Sequence, residues 1–395
     1  MDEIKKLVEE AAGELVALRR DIHQHPELGY QEIRTSALVE KILQDLGLED
    51  VKRITKTGVT GLLRGARPGP VLLLRADMDA LPVEEETGLP YQSVNPGVMH
   101  ACAHDGHTAI LLTAAKILAG LRGRLAGSVK FVFEPNEEEV GALAMIEEGV
   151  LDNPKVDAAA GLHLWAPLKL GTMAVDSGTC WAGMDHFIIT VRGRSGHTST
   201  PHTAVDPILV AANIINGVQV MQSREQDPFL ASSLVFGRIE GGRAANIIPD
   251  KVEIEGTIRY FFDGSDEGPY RPRVRLRELV ESLAKAYRAE AEINYYCSQP
   301  ALINDKEMTA TGREAALETL GQSGGLVKFL NLGGEDFSEF SARVPAVFAM
   351  VGCGSEESGA IYPHHHSKFA IDEKSLPIAL EWMLRTTLKY LSKGE

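Results

Sequence analysis

Between residues 99 and 107 the chain reads MHACAHDGH, which places His100, Cys102, His104 and His107 within nine positions. Imidazole and thiolate are the donors that borderline divalent ions such as Zn²⁺ or Mn²⁺ prefer, and the sulfur weights the choice toward zinc-like softness. Histidine clusters elsewhere as well. Of twelve histidines nine fall in four stretches, the others being GLHLW with His163, GHTSTPH with His197 and His202, and His364 to His366. A strand-end imidazole such as His163 standing alone is more often a buried or capping residue, so its weight comes from the neighbouring clusters. The segment FEPNEEEV adds Glu137, Glu138 and Glu139 where a strand hands over to a helix. Adjacent side chains on an extended segment point to opposite sides. One carboxylate can then hold a metal while its neighbour takes a proton from metal-activated water. The same triplet also suits an acidic helix start favoured by the dipole, with Glu139 the residue that faces it.

Asp77 and Asp79 of RADMDALP follow the apolar run VLLL. Either can orient a ligating imidazole, or serve as an ordinary turn former at a strand end. Asp105 has the position of an N-cap before the next helix. His107 reads as the partner of a ligand more than as a ligand, and His23 and His25 of DIHQHPE as structural residues at a helix end.

The elements that must carry these groups follow from periodicity. The N-terminal MDEIKKLVEEAAGELVALRR has apolar residues at helical spacing, and QEIRTSALVEKILQDLG continues with a second helix. TGVTGLLRG, GPVLLLRADMDAL, GSVKFVFEP and VDAAAGLHL are short apolar runs bounded by Gly or Pro, as buried strands are. Helices TAILLTAAKILAGLRG and EVGALAMIEEGVL alternate with them. That alternation predicts an α/β fold with a largely parallel sheet covered on both faces, with functional residues at the carboxyl ends of its strands. From residue 183 the order becomes βαββαβ, the signature of an inserted ferredoxin-like domain. The pieces from 299 onward hold too few strands for a sheet of their own. We therefore expect a catalytic domain of residues 1–182 and 299–395 with an insertion at 183–298.

Composition narrows the partners. With 55 acidic against 40 basic residues and a net charge of −15, the chain lacks the clustered cations that nucleic acid or an anionic membrane requires. No apolar run is long enough to span a bilayer. The N-terminus has acidic residues from the start, unlike a signal peptide. Cys102, Cys180, Cys297 and Cys353 lie too far apart to suggest a disulfide framework. These features together read as a soluble cytoplasmic protein.

The motifs RADMDALP, MHACAHDGHT, EPNEEE, GLHLW, GHTSTPH, GGRAANIIPD, GTIRYF, GGEDFS and HHHSKF come in one order over nearly the whole chain, from HQHPELGYQE to the last helix. In that order and spacing the chain resembles the metal-dependent aminoacylase, hippurate hydrolase and auxin-conjugate amidohydrolase family, relatives of the metallo-exopeptidases that include carboxypeptidases. The resemblance implies two divalent ions per subunit, Zn or Mn first and Co or Ni as alternatives. By position it makes Cys102, His104, Glu138, His163 and His365 the metal ligands. The family places its last ligand four residues before a Phe, here Phe369, which selects His365 over His364 and His366. It makes Glu137 the general base and Asp79 the carboxylate that orients a ligand. It gives His197 the stabilisation of the developing oxyanion, Asn246 and Arg259 the substrate carboxylate, and His202 a secondary place in the substrate site. A lid that also forms a homodimer, with a tetramer as an alternative, completes the picture. The implied substrates are N-acyl amino acids. Within the same class, a carboxypeptidase or dipeptidase acting on short peptides is the alternative, with Glu134 a candidate for a free amine. The family more often has Gln-Pro-Ala-Glu-Glu where this chain has Glu134-Pro-Asn136-Glu137-Glu138. A zinc deaminase is excluded, because its H-x-E and P-C-x-x-C pattern is missing.

Overall fold

A computed structural model describes residues 2–321 and 325–392. In chain order, helices α1 (Glu3–Gln24) and α2 (Ile33–Asp45) precede strands β1 (Glu49–Ile54), β2 (Gly58–Arg64) and β3 (Arg67–Asp77). Next come α3 (His104–Gly120), β4 (Ala126–Glu134), α4 (Gly141–Glu147), β5 (Ala158–Lys169), β6 (Thr172–Ala174) and β7 (Gly178–Trp181). The middle of the chain holds β8 (Gly183–Arg192), β9 (Gly196–His197), α5 (Pro207–Gly217), β10 (Ser232–Gly241), β11 (Ile247–Ile248), β12 (Lys251–Tyr260), α6 (Pro272–Ala286) and β13 (Glu290–Gln299). Strand β14 (Leu302–Asn304), α7 (Lys306–Leu320), β15 (Gly325–Leu326), α8 (Ser338–Ser341), β16 (Ala346–Gly354) and α9 (Ser375–Ser392) close it. Among the described residues no helix is long and apolar enough to cross a membrane.

The chain divides into two units: Met1–Gly178 with Ile303–Phe329 and Glu335–Glu395, and Thr179–Leu302 with Leu330–Gly334. The first unit is built on an eight-stranded mixed sheet in the order β1-β2-β4-β3-β5-β16-β6-β15. Its centre, β4-β3-β5-β16, is parallel throughout. At one edge β1, β2 and β4 pair antiparallel. The sequence reading did not separate β1, whose alternation of charged residues hides a strand. Only residues 55–57 join β1 to β2, too short a connection for a parallel crossover. β4 is buried along its whole length, as is β16. Along β16, Val347, Ala349, Val351 and Cys353 join the main core. Phe348 points the other way and meets Phe337, their ring centroids 5.0 Å apart.

Helices α1, α3 and α9 pack together over this sheet. α1 starts on Asp2, whose carboxylate accepts from the Ile4 N–H at 3.1 Å, and turns Ile4, Val8, Leu15 and Ile22 inward at helical spacing. α9 buries Trp382, whose Nε1 donates to the Gly312 carbonyl of α7 at 2.9 Å. Each such buried Leu, Ile or Val side chain contributes about 1.5–3 kcal/mol by leaving water.

The second unit has a four-stranded antiparallel sheet in the order β10-β12-β8-β13. Its core unites Phe187, Ile189 and Val191 of β8 with Val252, Ile254 and Ile258 of β12, covered by Val210 and Ile214 of α5 and Leu276 and Val280 of α6. Along β12 buried residues alternate with partly exposed ones, as in a sheet with one face packed and the other open. A separate two-stranded ribbon pairs β9 with β11.

Candidate functional site

In the first unit the strands deliver their polar residues at one end of the parallel centre. β3 ends at Asp77, and Asp79 follows two residues later; β4 ends at Glu134. α3 begins at His104 on a left-handed N-cap, Ala103, with φ 69°. Asp105 is therefore not the cap. It lies inside the first turn, where it pairs with Arg19 Nε at 2.6 Å and His23 Nδ1 at 2.8 Å. His23 is buried among Asp105, Glu85 and Arg19, a structural place, and His25 Nδ1 meets the Asp21 carbonyl at 2.8 Å.

Glu137, Glu138 and Glu139 form a short helical turn bracketed by left-handed Asn136 (φ 58°) and Val140 (φ 65°). Asn tolerates this conformation; a β-branched Val does not adopt it without cost. The segment is thus not extended, and Glu137 and Glu138 do not point to opposite sides. Both carboxylates converge with His104 so that the ligand atoms lie within 4.8 Å of one another.

Hydrogen bonds fix which atom of each residue faces that centre. His104 Nδ1 lies 2.9 Å from the Asp79 carbonyl and 3.1 Å from Asp79 Oδ1, and so carries the proton there. The other Asp79 oxygen accepts the Glu138 N–H at 3.2 Å, so one carboxylate orients both a candidate ligand and the backbone of another. His163 Nδ1 donates to the Leu164 carbonyl at 2.8 Å and turns Nε2 to within 3.5 Å of Cys102 Sγ. His365, at φ 65°, is anchored by its N–H to the Ala101 carbonyl at 2.9 Å. Its Nε2 stands 3.2 Å from Glu138 Oε1.

Two buried atoms able to accept, His104 Nε2 and Glu138 Oε1, make no hydrogen bond of good geometry among the described residues, His365 meeting Glu138 Oε1 only as an ion-pair partner. Orphaned acceptors of this kind, surrounded by thiol, imidazole and carboxylate, are what a divalent cation satisfies. Three groups of donors have their ligand atoms close enough to share an ion: Cys102–His104–His163, Cys102–Glu138–His365 and His104–Glu137–Glu138. Shared members tie the three into one cluster. Two further groups are already satisfied. In Asp77–His104–His107, His107 Nδ1 bonds Asp77 Oδ1 at 2.6 Å and Nε2 accepts the Leu164 N–H at 2.9 Å, which leaves His107 no lone pair to offer. In Glu137–Glu335–Asp336, Arg75 Nη2 lies 3.2 Å from Glu335 Oε1 and 2.7 Å from Asp336 Oδ1.

Arg75 is the centre the sequence reading missed. Fully enclosed, it meets Glu134 at 2.6 Å and Asp77 at 2.7 Å besides Glu335 and Asp336. Its signal was the charged Arg75 inside an otherwise apolar strand. Glu134 is thereby committed to Arg75, with no exposed surface.

Electrostatics favour the neutral forms of Cys102, His163 and Glu137 before a cation arrives, whereas His104, in spite of its burial, is pushed well up by Asp77 and holds a proton. Burial pushes the Cys102 thiol well up, against the pull of His104. Burial, with His107 and His364, pushes His163 well down. Burial, Glu335 and Glu138 raise Glu137 far above the usual carboxylate range, so its carboxylate has a high affinity for a proton. His364 is not part of a donor group: its ring stacks on Trp165 at 4.2 Å and its Nε2 accepts the Ala166 N–H at 3.1 Å. His366 stacks on Tyr362 at 4.7 Å.

The remaining predicted residues belong to the second unit. His197 is exposed on β9; its Nδ1 accepts the Ser199 N–H at 3.1 Å, which leaves Nε2 as the donor. The ribbon pairs His197 with Ile247, and the Thr198 N–H donates to the Asn246 carbonyl at 3.2 Å, so His197 and Asn246 are brought together. His202 lies exposed on the short turn Pro201–Thr203. Arg259 sits apart from them on β12, where Nη1 donates to the Leu332 carbonyl at 2.5 Å.

A set of sulfur, nitrogen and oxygen donors, enclosed except at Glu138 and His365, beside a carboxylate of high proton affinity at the end of a parallel sheet, suits metal-dependent hydrolysis. The chain belongs to peptidase family M20/M25/M40, whose model matches residues 73–389. It is 36% identical to N-acetyl-L-cysteine deacetylase of Bacillus subtilis (strain 168), over 97% of this chain and 89% of that protein. It is 37% identical to thermostable carboxypeptidase 1 of Saccharolobus solfataricus, over 96% of each chain. Among solved structures, the Bacillus subtilis YXEP protein, described as a dinuclear metal binding peptidase from the M20 family, matches with a TM-score of 0.80 at 33% identity, over 97% of this chain and 99% of that one.

Proposed function

We propose that the protein hydrolyses the amide bond of N-acyl amino acids, releasing a carboxylic acid and a free amino acid. The observation that carries this reading is Glu137, buried, with Oε2 3.8 Å from the orphaned His104 Nε2 and its proton affinity raised by its surroundings. Cys102, His104, Glu138, His163 and His365 would hold two divalent ions, Zn or Mn before Co or Ni, whose Lewis acidity activates water at neutral pH. Glu137 takes the proton of the attacking water and passes it to the leaving amine, so one carboxylate acts as base and then acid. Asp79 keeps His104 in the tautomer that offers Nε2. In the second unit, read as lid and homodimer surface of a cytoplasmic enzyme, the Nε2–H of His197 supports the developing oxyanion. Arg259 and Asn246 receive the substrate carboxylate through charge-assisted bonds, and His202 lines the same site.

A relative named carboxypeptidase keeps short peptides in view as the alternative. Peptide substrates with a free amine need an acidic partner for it, and Glu134, the candidate in the sequence, is held by Arg75 instead. N-acyl substrates are therefore the stronger reading.

The test is release of amino acid from N-acetyl, N-benzoyl and dipeptide substrates by protein stripped with a chelator and resupplied with Zn²⁺, Mn²⁺ or Co²⁺. Turnover should vanish on stripping, return with metal, and fall by about 10²–10⁴ in Glu137→Gln at unchanged metal content. Metal-loaded, folded protein that cleaves no member of the panel would sink the proposal.

A further inference from the structure

HQHPELGYQE, residues 23–32, plays no part in the mechanism above, yet it ends in one of the most enclosed carboxylates of the chain. Glu32 is completely buried and occupies the N-cap position of α2. A side chain there ordinarily accepts from the first N–H groups of its own helix; that of Glu32 does not. Glu27 does so in its place, accepting the Arg34 N–H at 2.8 Å and the Thr35 N–H at 2.9 Å. Glu32 is left to turn the other way. Its Oε1 accepts the N–H of Asn136 at 3.0 Å, and its Oε2 the hydroxyl of Thr57 at 2.5 Å.

Asn136 opens the turn that carries Glu137 and Glu138. The rest of the motif is shaped to the same residue. A Cβ on Gly29 would fall 1.9 Å from Asn136 Oδ1, so only glycine leaves room for that side chain. Tyr30, itself left-handed at φ 58°, hydrogen-bonds the Asn136 side chain. Loop 29–32 thus grips the turn at its first residue from three directions.

We propose that Glu32 is a positioning residue for the hydrolysis: its ionised carboxylate holds Asn136, and through Asn136 sets the turn that aims Glu137 at the reacting centre. This inference rests on the hydrolase reading of the site. The groups that face Glu32 are Thr57 from the β1–β2 loop, Asn136 from the turn, Tyr30 from its own loop and Asp79 from beyond β3; none is a cation. Burial, aided by Asp79, raises Glu32 to about 7 in spite of its two donors. A proton on Oε1 deprives the Asn136 N–H of its acceptor, and one on Oε2, which the Thr57 hydroxyl can turn to accept, leaves Asn136 a neutral and weaker acceptor. Activity then declines as pH falls through this range, by about tenfold from pH 8 to pH 6 for one such group.

The experiment compares kcat against pH for metal-loaded wild type, Glu32→Gln and Thr57→Val on an N-acyl amino acid. It also follows deuterium exchange of amides 136–141 in the metal-free full chain, scaled to unfolded-chain rates. In Glu32→Gln the acid-side fall shrinks by about tenfold. In Thr57→Val it moves to higher pH, because the ionised form has lost a donor. Amides 136–140 lose protection below about pH 7 in wild type and below a higher pH in Thr57→Val, while Glu32→Gln shows no such step. If exchange follows Glu32 while no substrate is cleaved, the positioning role stands and the substrate reading fails. Robust turnover with pH profiles and exchange unchanged in both variants overturns the inference.

Discussion

His104 and His197 are both imidazoles with Nδ1 tied down and Nε2 left over, in opposite surroundings. His104 is enclosed and oriented by Asp79, with Asp77 and Glu137 each 3.8 Å from its Nε2. His197 is exposed, and what orients it is Ser199, two residues away. In the first unit each functional atom is set by segments far apart in the chain, and the groups beneath it, above all Arg75, are as enclosed as a hydrophobic core. In the second, the candidate groups hang on a two-stranded ribbon and an open sheet face. A change in the first unit should therefore register in stability and chemistry together, and a change in the second in chemistry alone.

The largest effect that tests this contrast is in Arg75→Met. Removing the guanidinium leaves Glu134, Asp77, Glu335 and Asp336 buried without their cation, a loss of about 3–5 kcal/mol. Urea unfolding should show it, together with reduced metal occupancy. A variant as stable as the wild type would mean that these carboxylates are already protonated in the folded state. Next comes His197→Ala. We expect kcat to fall by about 10²–10³, or roughly 2.7–4 kcal/mol. The urea midpoint should stay within about 0.5 kcal/mol of wild type. Lost stability here would break the distinction between the units. The smallest effect concerns His23. Burial and Arg19 push its proton affinity down, but Asp105 and Glu85 outweigh them and the net shift is upward. A raised folded value means stabilisation that is complete below the unfolded pKa of about 6.5 and fades as pH climbs through the higher folded value. His23→Gln should lower Tm most at about pH 5 to 6 and least near pH 8. A Tm difference that grows with pH would reverse the assigned sign.

Local pattern made much of the first unit legible. The run VLLLRAD ends as β3 because apolar residues buried on both faces form a continuous block, and Asp77 and Asp79 fall where that block stops. His163 and Cys102 gained weight from their clusters and do meet. What pattern could not supply was pairing across distance. Arg75 and Asp336 are 261 positions apart, and nothing local to either says that they touch. Backbone conformation was equally hidden. Left-handed Asn136 and Val140 turn an apparently extended EEE into a tight turn, and left-handed Ala103 takes the cap position that Asp105 suggested by composition. In the second unit, β10, β12, β8 and β13 each carry recognisable strand patterns, while the separation of Arg259 from the His197–Asn246 ribbon depends on register.

The pairing of β5 with β16 has a consequence for how the protein is made. These central neighbours are separated by residues 170–345, which include all of the second unit. On a ribosome, Thr179–Leu302 emerges as one stretch with its own core and can fold while the sheet of the first unit still lacks β16. His365 lies beyond β16 again. This last candidate donor thus joins its partners only after the insertion has been synthesised, and a prematurely terminated chain folds its second unit without ever assembling the full set of candidate metal donors.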